Sequence, residues 1–282
     1  LINDDNGAGY HRLVDAHGAF AEPVNLHITP TLASAIEWAA VDPATGKPWR
    51  DGPSLNSRIG ELFDDGSMLF ATTFADHILP YTPDSFTASS VDLANSVLSD
   101  IYDAAPSERV FWPAERVLDE TVLATISNLG FSHTVADQMR HIFLWFGRTS
   151  ALGEDGYRIN RTNGIDLFPL HDFASGFRFD IHDNGLNFPL RELLSRRARG
   201  GAQDQVLTLV SDWEDFGTLT QADAYERNLR WLANRPWIEI VAGAAIAAGA
   251  VDLSQPADGL GDVWGTVDRG TGLDLDRTAK DW

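Results

Sequence analysis

The sequence contains no cysteine in its 282 residues. Without cysteine the chain can form no disulfide framework, no thiolate metal site and no cysteine nucleophile. Any catalytic function must therefore rest on other side chains.

Basic residues are scarce. Lys and Arg number 21 against 41 Asp and Glu, the net charge is -20 at pH 7, and Lys47 and Lys280 are the only lysines. A polyanionic surface repels phosphate backbones and acidic membranes. We therefore expect neither nucleic acid nor a membrane among the partners, and the charge itself is typical of a solvated surface.

Long apolar runs are also missing. The nearest candidate, IEIVAGAAIAAGAV (238–251), is shorter than the roughly 18 residues of a membrane-spanning helix and contains Glu239. The amino terminus has no initiator methionine and no signal-peptide pattern of basic start, apolar middle and small-residue cleavage site. We expect a cytoplasmic location and a processed or excised piece of a longer chain.

Short β-branched and aromatic segments alternate with segments of helical periodicity. The clearest helix follows Asp119, a good N-cap, and ends near Gly130. Strands that are apolar on both faces and alternate with helices predict parallel βα units, in a barrel or a doubly wound sheet. With no repeat, linker, dinucleotide fingerprint or phosphate loop, we predict one domain over 1–282. The predicted strands are 24–29, 67–73, 109–114, 131–136, 165–170, 206–212 and 238–242.

Three carboxylates end one predicted strand. In VLTLVSDWEDFG, Asp212 closes the strand and is followed by Glu214 and Asp215. Because side chains alternate along a strand, Asp212 and Glu214 point to one face and Asp215 to the other. These acids either cap the next helix and pair with arginines, or form part of a site at the carboxyl ends of the strands.

A lone carboxylate, Glu115, follows another apolar strand that ends in Trp112. Two carboxylates at the mouth of one barrel suit glycoside hydrolysis, since one attacks the oxocarbenium-like centre and the other protonates the leaving oxygen. The rings of Trp112, Trp213 and Phe216 can stack on the apolar face of a sugar or pack in the barrel. His171, at the end of a further predicted strand, is another candidate for the site.

Four segments together resemble glycoside hydrolase family 57. RVFWPAERVLDETVLATISNLGF (109–131) is similar to its nucleophile region, in which Trp, two variable residues and Glu precede a helix. VSDWEDFG (210–217) is similar to its Asp-aromatic-Glu-x-Phe-Gly segment. GSMLFATTFADHILPYTPD (66–84) resembles its segment of Gly, a strand and a His followed by Leu-Pro, and VNLHITPTLASAIEW (24–38) resembles its second strand and helix.

This resemblance implies a distorted (β/α)7 barrel, a TIM-like fold, that acts on α-glucans with retention of configuration and without a metal or other cofactor. By residue, it implies that Glu115 is the nucleophile and Asp212 the general acid/base. The partner would be an oligo- or polysaccharide substrate. The implied substrate-binding residues are His77, Trp112, Trp213 and Glu214, to which the sequence pattern adds Phe216 and His171.

The sequence departs from the family pattern at two places. The His-Gln-Pro motif after the first strand is absent, where the chain has LINDDNGAGY, and Leu69 stands where the family has Glu. Two alternatives therefore stay open. One is a metal-dependent polysaccharide deacetylase that would use Asp4 and Asp5, and the other is a barrel that binds carbohydrate without cleaving it.

Overall fold

A computed structural model of the chain describes residues 9–39, 44, 46, 52–147, 157–171, 191, 194–195, 198, 205–213, 217–245 and the backbone of 251–252. Two predicted site residues, Glu214 and Phe216, lie outside this set, as do Asp4 and Asp5.

Parallel strands form the centre of the fold, and their order in space follows their order in the chain. The strands of this wall are β1 (Asn25–Leu26), β2 (Met68–Leu69), β3 (Val110–Phe111), β4 (His133–Asp137) and β6 (Ile165–Leu170). β1 pairs with β2, β3 with β4 and β4 with β6, all in parallel. A parallel bridge between Ala71 and Phe111 joins β2 to β3. This arrangement confirms the predicted parallel α/β fold of barrel type.

A hairpin interrupts the parallel order. β5 (Asn160–Thr162) runs antiparallel to β6, and β7 (Val251–Asp252) pairs with β5 in parallel. The turn residues Asn163 and Gly164 both have positive φ, 49° and 77°. An Asn-Gly pair suits this turn because the two residue types tolerate the left-handed region best.

The helices occupy segments of the chain before and between the strands. They are α1 (Tyr10–Phe20), α2 (Pro30–Trp38), α3 (Gly52–Asp64), α4 (Asp84–Tyr102), α5 (Glu120–Asn128) and α6 (Leu219–Ala233), with a π-helix at Gln138–Trp145. The predicted N-cap of α5 is confirmed, since the Asp119 carboxylate accepts the Val122 N–H at 2.7 Å. No helix in the described ranges is long and apolar enough to cross a membrane.

The strand side chains divide the core into two layers. Val110 and Trp112 pack with Phe70, Val135 and other residues inside the ring of strands. The alternate residue Phe111 packs outwards with the side chains of α5. A strand buried on both faces in this way explains the continuous apolar runs of the sequence.

The last two predicted strands make less backbone pairing with neighbouring strands than expected. Residues 206–212 contribute one parallel bridge, between Thr208 and Leu170. In the described structure 238–242 forms no strand; instead, the side chain of Asn25 in β1 makes the connection. Its Oδ1 accepts the Gly243 N–H at 2.8 Å and its Nδ2 donates to the Val241 carbonyl oxygen at 3.4 Å. Side-chain hydrogen bonds from Asn25 thus take the place of strand pairing here, and among the described residues backbone pairing does not close the ring of strands.

Candidate active site

A cavity of about 940 Å³ lies between β1, residues 205–213, residues 237–243 and α6. Among the predicted site residues, Trp112, Asp212 and Trp213 line it. A cavity of this size falls in the range of small-molecule binding sites. It lies beside the carboxyl ends of parallel strands, where the sites of such folds occur.

Three predicted residues lie elsewhere, and none of them belongs to the cavity lining. The ring of His77 packs against Phe86, with 5.1 Å between centroids, and burial lowers the pKa of His77. His171 is buried at the end of β6, and its Nε2 lies 2.8 Å from the Tyr157 hydroxyl. Glu115 is exposed in the turn after β3.

The side chain of Trp112 is fixed by contacts with two other rings of the protein. The residue is 9% exposed, and its indole packs against Phe70 with 5.3 Å between ring centroids. The imidazole of His27 stacks on it at 5.1 Å and an interplanar angle of 17°. One face of the indole is therefore covered by His27 and is closed to a sugar ring.

His27 belongs to a polar cluster with Asp76 and Thr72. Its Nε2 lies 3.1 Å from Asp76 Oδ1 and 3.2 Å from Thr72 Oγ1, and the Thr72 hydroxyl donates to the same Asp76 oxygen at 3.1 Å. A carboxylate only accepts hydrogen bonds. A neutral His27 ring in this geometry carries its proton on Nε2, which leaves Nδ1 as an acceptor. Both His27 and Asp76 line the cavity.

Trp213, next to Asp212, is anchored by helices from both ends of the chain. It lies within hydrogen-bonding reach of the Tyr225 hydroxyl on α6. Tyr225 in turn lies 2.6 Å from His17 Nε2 on α1, and His17 Nδ1 lies 2.9 Å from the Glu22 carbonyl oxygen. Because a carbonyl oxygen only accepts, Nδ1 carries the proton and Nε2 accepts from Tyr225.

The pKa values of His17 and Tyr225 agree with these proton positions. Burial lowers the pKa of His17, against the opposing effect of the Glu22 carbonyl, so the ring stays neutral at pH 7. Burial also raises the pKa of Tyr225, which keeps its hydroxyl proton available for donation. The segment that carries Asp212 is thus fixed to α1 and α6.

Glu115 stands in an unusual turn. Both Glu115 and Arg116 have positive φ, 52° and 55°. Such a conformation costs free energy in residues other than glycine and persists where surrounding contacts hold it. One such contact is the ion pair from Arg116 Nε to Asp137 Oδ2 at 3.1 Å, at the carboxyl end of the neighbouring strand β4.

His141 makes a hydrogen bond to the backbone at the end of β4. Its Nδ1 accepts the backbone N–H of Asp137 at 2.9 Å. Its Nε2 is buried and has no hydrogen-bond partner among the described residues. Burial lowers the pKa of His141 to about 4, Asp137 opposes that shift, and Arg116 and Arg140 add to it.

This pKa predicts an acid-sensitive fold. The unfolded chain binds a proton at His141 near pH 6.5 and the folded chain only near pH 4, so stability falls as the pH drops through this window. The variant His141→Asn keeps an acceptor for the Asp137 N–H and removes the titration. Between pH 7 and pH 5 we expect the free energy of unfolding of the wild type to fall by about 2 kcal/mol more than that of the variant. Urea titrations at both pH values measure it, and equal losses would contradict the assignment.

No group of three or more His, Asp or Glu side chains that could hold a metal ion occurs within the described ranges. Asp4 and Asp5, the residues of the deacetylase alternative, lie outside them.

Sequence reasoning missed the His27–Asp76 pair. His27 was one of several scattered histidines, and Asp76 stood beside the more conspicuous His77. A signal was present, since His27 lies in one predicted strand and Asp76 follows the next predicted strand along the chain. The parallel register of Leu26 with Leu69 brings the two strand ends together.

Comparisons with known proteins identify the family of the chain and solved structures of similar fold. The family model described as Glycosyl hydrolase family 57 matches residues 55–243, which is more than half of the chain. A search of the curated proteins found no match.

Solved structures of similar fold include a glucanotransferase, a branching enzyme and a protein described as a polysaccharide deacetylase. The 4-alpha-glucanotransferase from Thermococcus litoralis matches with a TM-score of 0.65 and 16% identity, over 89% of this chain and 36% of that chain. A GH57 branching enzyme from Thermococcus kodakaraensis matches with a TM-score of 0.63 and 10% identity, over 88% and 67%. A putative polysaccharide deacetylase from Mycobacterium smegmatis matches with a TM-score of 0.58 and 11% identity, over 88% and 81%. The chain thus spans about a third of the glucanotransferase.

Proposed function

Because the chain belongs to glycosyl hydrolase family 57, we propose that it cleaves or transfers α-glucan chains with retention of configuration. Glu115 is the nucleophile of this proposal and Asp212 is the general acid/base. Neither step requires a metal or an organic cofactor.

One observation carries the proposal: Asp212 and Trp213 line a large cavity together with the polar groups of His27 and Asp76. A saccharide needs hydroxyl partners along its edges and a carboxylic acid beside the bond that breaks. The anchoring of Trp213 through Tyr225 holds the Asp212 segment in place, and fixed geometry is what proton transfer requires.

Glu115 enters the proposal through its position. It follows β3 and the buried Trp112, which lines the cavity, and β3 lies between β2 and β4 in the parallel wall. The positive φ of Glu115 and the Arg116–Asp137 ion pair orient this turn. The carboxylate would attack the anomeric carbon to form a β-glycosyl ester, and Asp212 would donate a proton to the departing oxygen. Water or another sugar hydroxyl, activated by Asp212, would then release the glycosyl group.

A metal-dependent deacetylase is the second candidate. The observation that favours it is the His27–Asp76 pair in the cavity, because imidazole and carboxylate groups are metal ligands. The likeness of fold to a deacetylase agrees with it but shows the fold alone.

The two candidates predict opposite responses to a chelator. With amylose or maltoheptaose as substrate, we expect new reducing ends or redistributed chain lengths at the same rate before and after EDTA treatment. Chromatography of the products measures both activities and separates hydrolysis from transfer. If instead the protein releases acetate from an acetylated oligosaccharide, and a divalent cation restores that activity after EDTA, the deacetylase candidate replaces the first.

A further inference from the structure

We propose that His27 and Asp76 bind the hydroxyl groups of one glucosyl residue in the cavity, and that Trp112 supports them from below instead of stacking on the sugar. This inference rests on the proposed function, since it takes the ligand to be an α-glucan. It assigns a sugar-binding role to two residues that the sequence pattern did not select.

The free hydrogen-bonding capacity of the pair is the first argument. Asp76 uses Oδ1 for both of its hydrogen bonds, and His27 uses Nε2. In the described structure Asp76 Oδ2 and His27 Nδ1 have no partner, while both side chains keep part of their surface exposed, 35% for Asp76 and 21% for His27. Two adjacent acceptors that face a cavity suit hydroxyl donors on neighbouring carbons of a pyranose, and a carboxylate is the stronger acceptor of the two.

The rigidity of the pair is the second argument. Asp76 is held in the left-handed region with φ 50°, and the fully buried Thr72 donates to it. The ring of His27 stacks on the indole of Trp112, and that indole packs against the ring of Phe70. Groups that are already ordered lose little conformational entropy when a ligand binds, so their hydrogen bonds contribute more fully to affinity.

The position of the pair is the third argument. His27, Asp76, Asp212 and Trp213 border the same cavity. His77, which precedes the Leu-Pro step, packs against Phe86 instead. The hydroxyl-binding role at this strand end is therefore assigned to Asp76, which borders the cavity.

Binding of maltoheptaose to the full chain tests this inference. The Glu115→Gln background prevents turnover, so that calorimetry reports the dissociation constant. Addition of Asp76→Asn should raise that constant about tenfold to a hundredfold, the usual effect of losing a hydrogen bond to a charged group. Asparagine tolerates the left-handed region as aspartate does, so the backbone should be kept. His27→Gln should weaken binding in the same direction, and it serves as the second variant if Asp76→Asn does not fold.

The matched control is Asp92→Asn, which neutralises an exposed aspartate on α4. Its dissociation constant should equal that of the parent. If the wild type degrades α-glucans but both cavity variants bind maltoheptaose like the parent, the inference is overturned and the proposed function stands. If the wild type neither binds nor degrades maltoheptaose, both are overturned. Stoichiometric binding of Zn²⁺ that Asp76→Asn abolishes would also overturn the inference, in favour of a metal site.

Discussion

Replacement of Glu115 by glutamine should lower the turnover of an α-glucan by several orders of magnitude while binding is largely retained. The amide keeps the shape and much of the hydrogen bonding of the carboxylate, but it cannot attack the anomeric carbon. Initial rates with amylose and the dissociation constant of maltoheptaose measure the two effects separately. Glu108→Gln, at an exposed glutamate just before β3, is the matched control and should keep wild-type rates.

The smaller variant Glu115→Ala allows a test of stereochemistry. It leaves room for azide on the β face of the anomeric carbon. With an α-glycosyl fluoride as substrate, azide should form the new C–N bond as fluoride leaves, and the product should be a β-glycosyl azide. Near-native activity of Glu115→Gln, or no azide product from Glu115→Ala, would exclude Glu115 as the nucleophile.

The elements that sequence patterns predicted best are those with local signals. The helix after Asp119 needs only a capping carboxylate, an apolar face and a glycine, and the structure forms it as expected. The strand around Val110 and Phe111 is apolar on both faces because it is buried on both faces. Such signals are contained within about a dozen residues and do not depend on distant parts of the chain.

The closure of the barrel depends instead on distant contacts. The apolar run at 238–242 predicts a strand, but the side chain of Asn25 makes the connection to this segment. Likewise, Arg12 on α1 pairs with Glu226 and Asp223 on α6, more than two hundred residues away. No local pattern could predict these pairs, because each half is an ordinary polar residue on its own.

The candidate site likewise combines residues that local patterns predict with residues that only distant contacts bring together. Asp212 and Trp213 could be selected because acids and aromatics at the end of a strand are a local pattern, and the cavity includes both. The pairing of His27 with Asp76 follows from the register of β1 against β2, which the sequence does not state. The positive φ values of Glu115 and Arg116 could not be predicted from the sequence either, because neither residue is glycine.

Replacement of Asp212 by asparagine should give a different defect from that of the Glu115 variants. With amylose, turnover should fall by about a hundredfold to ten-thousandfold, because the leaving oxygen loses its proton donor. A substrate with an activated leaving group, such as an α-maltosyl fluoride, needs no protonation. The first step should then recover, and the glycosyl-enzyme ester on Glu115 should accumulate, which mass spectrometry of the intact protein measures.

Added azide should speed the breakdown of that ester, since azide needs no general base. It should displace the Glu115 carboxylate from the α face, and the product should be an α-glycosyl azide, opposite in configuration to the product of Glu115→Ala. The control is Asp100→Asn, at an exposed aspartate of α4, which should show neither accumulation nor rescue. If Asp212→Asn loses activity on both substrates equally and azide has no effect, Asp212 binds the substrate without transferring a proton. The acid/base must then be another residue near the cavity.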